Sequence, residues 1–498
     1  GDRMNPVLIV MPVLVLVLGV SGGIHLVNYL VEALAAGGRR DVAGRAIRLG
    51  WLPCLLSAGT TAIGLASLAT SELEPIRTFG FHASIGVMTT LCCMFLVVPG
   101  IFERWPIARG AAAAAASPAA APRSGFAVGV LRHAPLIVGL FFAAMAVAAV
   151  GVPRIRTSVR IDTLFKPESR VLRDYAWLEE HIGPLVPIEV VLEFAADSPV
   201  RSAERLELLE KVGETLAASA DSRTVLSAAL FLPDLPRGGP LASARRRIAA
   251  RRLEESLTAI DDMKYIRSLP AGQLWRATAR ISALRDVDYG DMLDHVRADI
   301  DPIVAEAGGA GRGIAVACTG VMPLVHAIQN TLLSDLFTSF LSACGLITVV
   351  IMLVERGIGA GLVAMISNVF PMILMFGLLG WTRTPLDVGS VMTASIALGM
   401  AIDGTLHFLT FYRRGIDAGS SPPEAVHAAF AHCAGAMTES TVVCGLGILV
   451  FALSSFAPTS RFAWMLALLL AAALAGDLVL LPAMLVGPLG RFVTRRAA

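Results

Sequence analysis

Charge is scarce in this chain. Only 16% of its 498 residues are charged, against about 25% in soluble domains, so most of it must dissolve in something other than water. The net charge of +2 gives no basis for nucleic-acid binding. A disulfide framework is also lacking. Of seven cysteines, Cys54, Cys92, Cys93, Cys344, Cys433 and Cys444 lie in or beside apolar runs, which leaves Cys318 by itself. Neither C-x-x-C nor H-x-x-x-H occurs. His25 and His407 stand isolated, and His427 and His432 are five apart, so the sequence predicts no metal centre, no cofactor and no enzyme. A cleavable signal peptide is not visible either.

What is present is apolar length. Hydrophobic residues make up 55% of the chain and the mean hydropathy is +0.69. Runs long enough to cross a bilayer, roughly 20 residues each, occur at 6–30, 49–69, 76–102, 129–152, 339–354 with a polar lead-in, 358–380, 388–412, 433–453 and 460–486. The short loops sort by charge. Arg39, Arg40, Arg45 and Arg48 follow the first run, and Arg104, Arg109, Arg123 and Arg132 follow the third. Glu355–Arg356, Arg413–Arg414 and the tail Arg491, Arg495 and Arg496 share that side, which the positive-inside rule makes cytoplasmic. The loops Ser71–Arg77, Trp381–Asp387 and Ser454–Arg461 are nearly neutral, and they put the long polar segment 153–326 outside the cell.

Two stretches, 4–103 and 386–486, are copies of one unit. A shift of 383 residues superposes Ser57 on Ser440, Gly64 on Gly447, Ser71 on Ser454, Pro75 on Pro458, Phe79 on Phe462 and Pro99 on Pro482. A shift of 382 brings Gly22 onto Gly404, Ile24 onto Leu406 and His25 onto His407, with Ser21 where the second copy has Asp403. Duplicated bundles with polar groups at the midplane are a transporter architecture. The second copy is preceded by a span, a polar segment and two more spans that the first lacks, so the sequence reads as a piece of a protein of about twelve spans. The organisation expected is three spans of a first repeat (1–104), a cytoplasmic Ala/Pro linker (105–125), the first span of the second repeat (126–152), an extracytoplasmic α/β domain (153–326), five further spans (327–490) and a basic cytoplasmic tail (491–498).

The linker runs through Ala111–Ala116 and Pro118 to Pro122 and carries no chemistry. In the polar segment, Thr157–Thr163, Pro187–Phe194, Gln273–Leu284 and Gly313–Thr319 read as strands, and Ser169–His181, Ala203–Ala218 and Asp288–Ala307 as helices. That order suggests a ferredoxin-like unit. Five arginines within Arg245–Arg252 read as a solvated helix face, or alternatively as a contact for lipid headgroups.

Candidate chemistry centres on Gly399-Met-Ala-Ile-Asp403-Gly-Thr405-Leu-His407. Asp403 and His407 are four apart and share a helix face. A carboxylate deep in a span costs on the order of 3 kcal/mol and faces the bundle interior. Next to an imidazole it can serve a proton relay, or simply tie helices together through a hydrogen bond. Asp477 in the last run and His25 in the first are further relay candidates. Secondary polar candidates are Ser21, Asn28, Tyr29, Thr405, Asn368 and Glu439. Glu439 alternatively snorkels to the interface, and Asn368 with Pro371 alternatively serves helix packing.

These residues resemble a known pattern. The Gly-x-x-x-Asp motif Gly399–Asp403, the phrase Ser440-Thr441-x-x-Cys444-x-x-Gly447, Pro458 with Phe462 and the closing Leu481-Pro482-Ala483 are similar to the resistance–nodulation–division (RND) superfamily. Ile161–Ser169 continuing to Tyr175 is similar to the start of that family's porter domain. Within the superfamily the chain looks most like the branch of mycobacterial large membrane proteins, hopanoid exporters and Patched-like proteins. The resemblance implies an α-helical polytopic bundle with one ferredoxin-like porter domain on the periplasmic face of a bacterial inner membrane. It also implies proton-driven export of lipid or another hydrophobic molecule, with protons and cargo as partners, homo-oligomerisation as an option, and Asp403 as the proton-carrying acid. Ser21 departs from a pattern with acids on both central helices, so coupling would run through Asp403 with His25 or His407. The alternative reading is a non-transporting sterol- or lipid-sensing protein, or an accessory of protein export, on the same fold.

Overall fold

The computed structural model describes residues 8–37, 41–105, 125–158, 161–220, 222, 225–232, 253, 264–284, 288–355 and 357–494. The Ala/Pro linker, Arg245–Arg252, and Arg495 and Arg496 lie outside the described residues. The chain divides into two compact units, Gly1–Ser158 with Thr331–Ala498, and Val159–Asn330.

The first unit is helical. Its first copy contributes α1 (Met11–Gly37), α2 (Val42–Ala66), prolonged by a 3-10 turn to Thr70, and α3 (Glu74–Arg104). The short α4 (Gly125–Arg132) and α5 (Ala134–Ala149) follow. Proline falls in the first turn of α3 and of α5, where its missing N–H loses no helical bond.

Between the two parts of the first unit lies the α/β unit. There the described residues of the expected strand Thr157–Thr163 form no strand. Thr157 makes a single bridge to Leu386, and Ile161–Leu164 is one helical turn, α6. The strand expected at Gln273–Leu284 ends three residues early, at Ile281, and the other assignments hold within a residue or two. They are α7 (Arg170–His181), capped by Ser169, β1 (Val186–Ala195), α8 (Ser202–Ser219), α9 (Tyr289–Glu306), capped by Asp288, and β5 (Ile314–Gly320). Two short strands escape the sequence pattern, β2 (Val225–Ser227) and β3 (Ile266–Leu269), the latter turning directly into β4 (Gly272–Ile281). The turn needs its glycine, because Gly272 has φ 145° and a Cβ there would strike the Phe194 carbonyl. All pairings are antiparallel in the order β2-β4-β1-β5, the ferredoxin-like arrangement of two split β-α-β units. Ile188, Val190, Leu192 and Phe194 alternate inward from β1 and pack with Trp275, Leu209, Val212 and Val296 in one core.

From β5 the chain runs into α10 (Val321–Val354), a single helix that includes the polar lead-in. Then come α11 (Ile358–Thr382), α12 (Val388–Asp417), α13 (Pro422–Leu449) and α14 (Ala457–Ala475). The last span continues through a π-turn, Gly476–Leu480, into α15 (Leu481–Val486), with α16 (Gly490–Thr494) beyond. Helix α13 starts well before its apolar run because Ser421 and Glu424 form a reciprocal capping box. Among the described residues nine helices are long and apolar enough to cross a membrane, so this is a multi-pass membrane protein. Burial separates their places. In Val388–Asp417, 78% of the apolar window is buried, against 11% in Ala134–Arg154. Helix α12 is the axis of the bundle, and α5 turns almost all of its surface outward.

Candidate proton-relay site

Helix α12 can sit at the axis because its neighbours come close. A Cβ on Gly64 would lie 2.7 Å from the Ser395 carbonyl and 3.2 Å from Gly399 Cα, so α2 and α12 touch backbone to backbone. There Thr61 Oγ1 donates to the Gly399 carbonyl over 2.8 Å. The repeat register predicts the same contact with the copies exchanged, Cys444 for Thr61 and Val17 for Gly399. Cys444 Sγ does donate to the Val17 carbonyl, at 3.6 Å. The two copies therefore face each other about a local pseudo-two-fold, and the polar midplane residues meet across it.

Asp403 is the centre of that meeting. Its Oδ2 accepts from Ser21 Oγ at 3.1 Å, and its Oδ1 accepts from Ser57 Oγ. Ser21 also pairs with Ser440 at 2.5 Å, so the equivalent serines Ser57 and Ser440 each meet the residue that the other copy places opposite. His25 Nε2 stands 3.5 Å from Oδ2 and His407 Nε2 3.3 Å from Oδ1. The two imidazoles stack, with centroids 4.1 Å apart and planes within 8°. The expectation that these histidines are isolated is corrected: they are 382 residues apart in sequence and adjacent in space. Tyr29 Oη lies 3.0 Å from His407 Nδ1. If Tyr29 donates there, Nε2 carries the proton that faces Asp403.

A second polar group lies on another face of α12. Thr405 Oγ1 donates to Asp477 Oδ1 at 2.5 Å, and Asn368 Nδ2 donates to Thr405 Oγ1 at 2.9 Å and to the Ala364 carbonyl at 2.8 Å. Asp477 sits in the π-turn of the last span, where the extra residue per turn redirects side chains. Gly404 makes room for it: a Cβ there would lie 2.5 Å from Asp477 Oδ2. One internal cavity is lined by both acids, His25, His407, Ser21 and Ser57, and holds about 80 Å³. A single water needs roughly 10–15 Å³, so water can reach both carboxylates.

Two candidates do not join. Asn28 is exposed on α1, although Tyr29 beside it is buried. Glu439 lies within α13, one residue before buried Ser440, and is itself exposed. The sequence reading missed Ser57, the half-buried partner of Asp403, and Asp335, a buried acid that accepts from Ser71. Ser57 was legible only as a repeat match, and Asp335 lay in the polar lead-in of α10, outside the apolar window.

His25, Asp403 and His407 offer ligand atoms all within 4.8 Å of one another, close enough to consider a metal ion. The stacked rings argue against it. In-plane lone pairs of parallel imidazoles do not converge on one point, as metal ligation requires, whereas proton exchange needs only short contacts to a common acid.

A model of the MMPL family matches residues 277–498, a little under half of the chain. No curated protein matches by sequence. Among solved structures, the fold is similar to that of Disp, the hedgehog release protein from the water bear Hypsibius dujardini. The TM-score is 0.67 and the identity 15%, over 95% of this chain and 63% of that one. It is also similar to SecDF in a super-membrane-facing form, with TM-score 0.54 and 13% identity over 96% of this chain and 54% of that one. SecDF from Thermus thermophilus, a translocon-associated membrane protein, gives TM-score 0.58 and 13% identity over 98% and 55%. The chain thus spans between a half and two thirds of the length of these proteins. Residues 277–498 thus match the MMPL family model, and the chain as a whole shares its membrane fold with Disp and SecDF.

Proposed function

We propose that this protein is an RND-type exporter that uses the proton-motive force to move lipid or another hydrophobic molecule. It would lie in a bacterial inner membrane, in the branch of mycobacterial large membrane proteins, hopanoid exporters and Patched-like proteins, with its α/β unit in the periplasm. The observation that carries this reading is the cluster of Asp403, His25 and His407, held by Ser21 and Ser57 in a cavity large enough for water. An ionisable group inside a bundle is a functional site by default. Here the acid has a donor or acceptor on every side, so it can gain or lose a proton without losing its place. Proton binding at Asp403 would change which of its hydroxyl and imidazole contacts are donated and which accepted. Because these contacts come from both copies, it would change how the copies hold together. The protein is not an enzyme in this reading, needs no cofactor and binds no nucleic acid.

Proteoliposomes holding the full-length protein test it directly. Under an imposed pH gradient, Asp403→Asn is expected to abolish proton flux and cargo movement together. Unchanged flux in that variant would sink the reading.

A second reading has its own support, since two of the similar folds belong to a translocon-associated protein and a hedgehog release protein. An accessory of protein export, or a lipid sensor, would bind its ligand with no cargo transport. Ligand binding without any change in intravesicular pH favours a sensor.

A further inference from the structure

The two imidazoles at Asp403 are equivalent in the repeat but differ in what lies beyond them. Tyr29 is buried, and among the described residues its hydroxyl meets one partner, Nδ1 of His407, at 3.0 Å. A buried hydroxyl whose proton finds no acceptor is costly, so the arrangement that satisfies both groups is Tyr29 donating to Nδ1. The proton of neutral His407 then sits on Nε2, 3.3 Å from Asp403 Oδ1. In the opposite tautomer the Tyr29 proton has no acceptor, and a lone pair of His407 faces a carboxylate. His407 is thus fixed as a donor from both ends.

His25 has no such lock. The shift of 382 residues that brings His25 onto His407 brings Tyr29 onto Phe411, which has no hydroxyl. Phe411 only stacks on Tyr29, with centroids 6.3 Å apart and planes within 10°. Among the described residues Nδ1 of His25 forms no hydrogen bond, and it is not one of the buried atoms sealed from water. The ring lines the cavity. Its Nε2, 3.5 Å from Asp403 Oδ2, can donate to the carboxylate or accept from the protonated acid. The two rings stack 4.1 Å apart, and positive charges at that distance repel, so one imidazole at a time can be charged. With Nδ1 of His407 occupied by Tyr29, that one is His25. The other titratable groups around the cavity are Cys54, Cys444 and Asp477, and among the described residues no lysine or arginine lines it.

We infer that Tyr29 makes His407 a fixed donor and leaves His25 to carry protons between Asp403 Oδ2 and water entering the cavity. The inference rests on the proton-coupled reading above. To load the acid, a proton arriving on water bonds to His25 Nδ1. The imidazolium then breaks its Nε2–H bond as an O–H bond forms on Oδ2. What remains is neutral His25, with its proton on Nδ1 and its Nε2 lone pair accepting from Asp403. Release runs the same steps backwards, and no electrons are exchanged. Tyr29 and His407 are positioning residues in this scheme.

Proton flux in proteoliposomes holding the full-length protein is the first readout. His25→Gln should lower flux by about a hundredfold, as loss of a proton-exchanging group does, and His407→Gln, which keeps an N–H toward Asp403, by about threefold. The second readout is nitrogen NMR of the same vesicles with isotope-labelled histidine. His407 should keep its proton on Nε2 over the pH range in which flux changes, while His25 changes form over it. Tyr29→Phe should release His407 into both tautomers. The wild-type spectrum decides even where a variant does not fold, because contact with labelled tyrosine identifies the His407 signals. If His407 changes form with pH as His25 does, or both glutamine variants lose flux equally, the asymmetry is absent and the proposal is overturned. If His25→Gln runs at the wild-type rate while Asp403→Asn is silent, His25 is not the carrier, yet the proton-coupled reading stands. If Asp403→Asn keeps its flux, the coupled reading falls and this inference with it.

Discussion

At the scale of single residues, the site depends on which side chains are small. Gly404 on α12 lies between Asp403 of its own helix and Asp477 of the last span, and any side chain there meets Asp477 Oδ2 and Met437. Gly404→Ala should therefore destabilise the protein by about 1–3 kcal/mol, as overpacking does, measurable as a lower melting temperature in detergent. Because the displaced atom belongs to Asp477, proton flux should fall further than for a Gly→Ala change at Gly435, where a Cβ meets nothing within 4 Å. The sequence placed Gly404 in its motif as a repeat match to Gly22. Its role as a spacer needed the position of residue 477, two helices away.

At the scale of elements, buried ion pairs lock helix ends. Asp387 caps α12, accepting from Ser390 N at 2.9 Å, and pairs with Arg461 of α14 at 3.0 Å. In the turn between α10 and α11, Glu355 is buried and paired with Arg413 of α12, which also donates to its backbone carbonyl. Burial pushes the Glu355 carboxyl above its ordinary range, and Arg413 draws it partly back. A raised folded pKa favours the protonated acid in the fold. The associated stability is thus fully present below the unfolded pKa and is lost as pH rises through the folded one. Arg413→Ala removes the opposing charge. It should cost about 2–3 kcal/mol at neutral pH, less than a fully buried pair because Arg413 is partly exposed. Melting curves at acid pH should show a smaller loss, because Glu355 then takes a proton; an equal loss at both pH values would rule out this account. In the α/β unit most elements were legible in the sequence within a residue or two. It missed β2 and β3, which are three and four residues long, too short for a period to show.

At the scale of the whole bundle, the pseudo-two-fold joins equivalent places that differ in chemistry. Ser57 and Ser440 are matched by the repeat, but Ser57 holds Asp403 directly and Ser440 reaches it only through Ser21. Ser57→Ala and Ser440→Ala each remove a hydrogen bond across the copies and should lower stability alike, by about 1 kcal/mol. Proton flux in proteoliposomes should drop much more for Ser57→Ala. Equal flux losses would mean that the two copies share the proton and that Asp403 is not its sole seat.

The sequence by itself determined the membrane-spanning class, the duplication and the presence of the motif acid, Asp403, in only one copy. These follow from composition and spacing, because lipid forces a long apolar run for each crossing and a repeat keeps its register in the chain. It also put Asp403 and His407 on one helix face, since a separation of four residues is local geometry. What only the tertiary structure decided was every contact across helices: His25 stacked on His407, Thr405 bridging Asn368 and Asp477, Asn28 and Glu439 turned away, and Asp335 drawn onto Ser71. Which face of an apolar helix turns inward is set by packing between segments hundreds of residues apart. In spans that are hydrophobic all round, no periodicity in the chain records that choice.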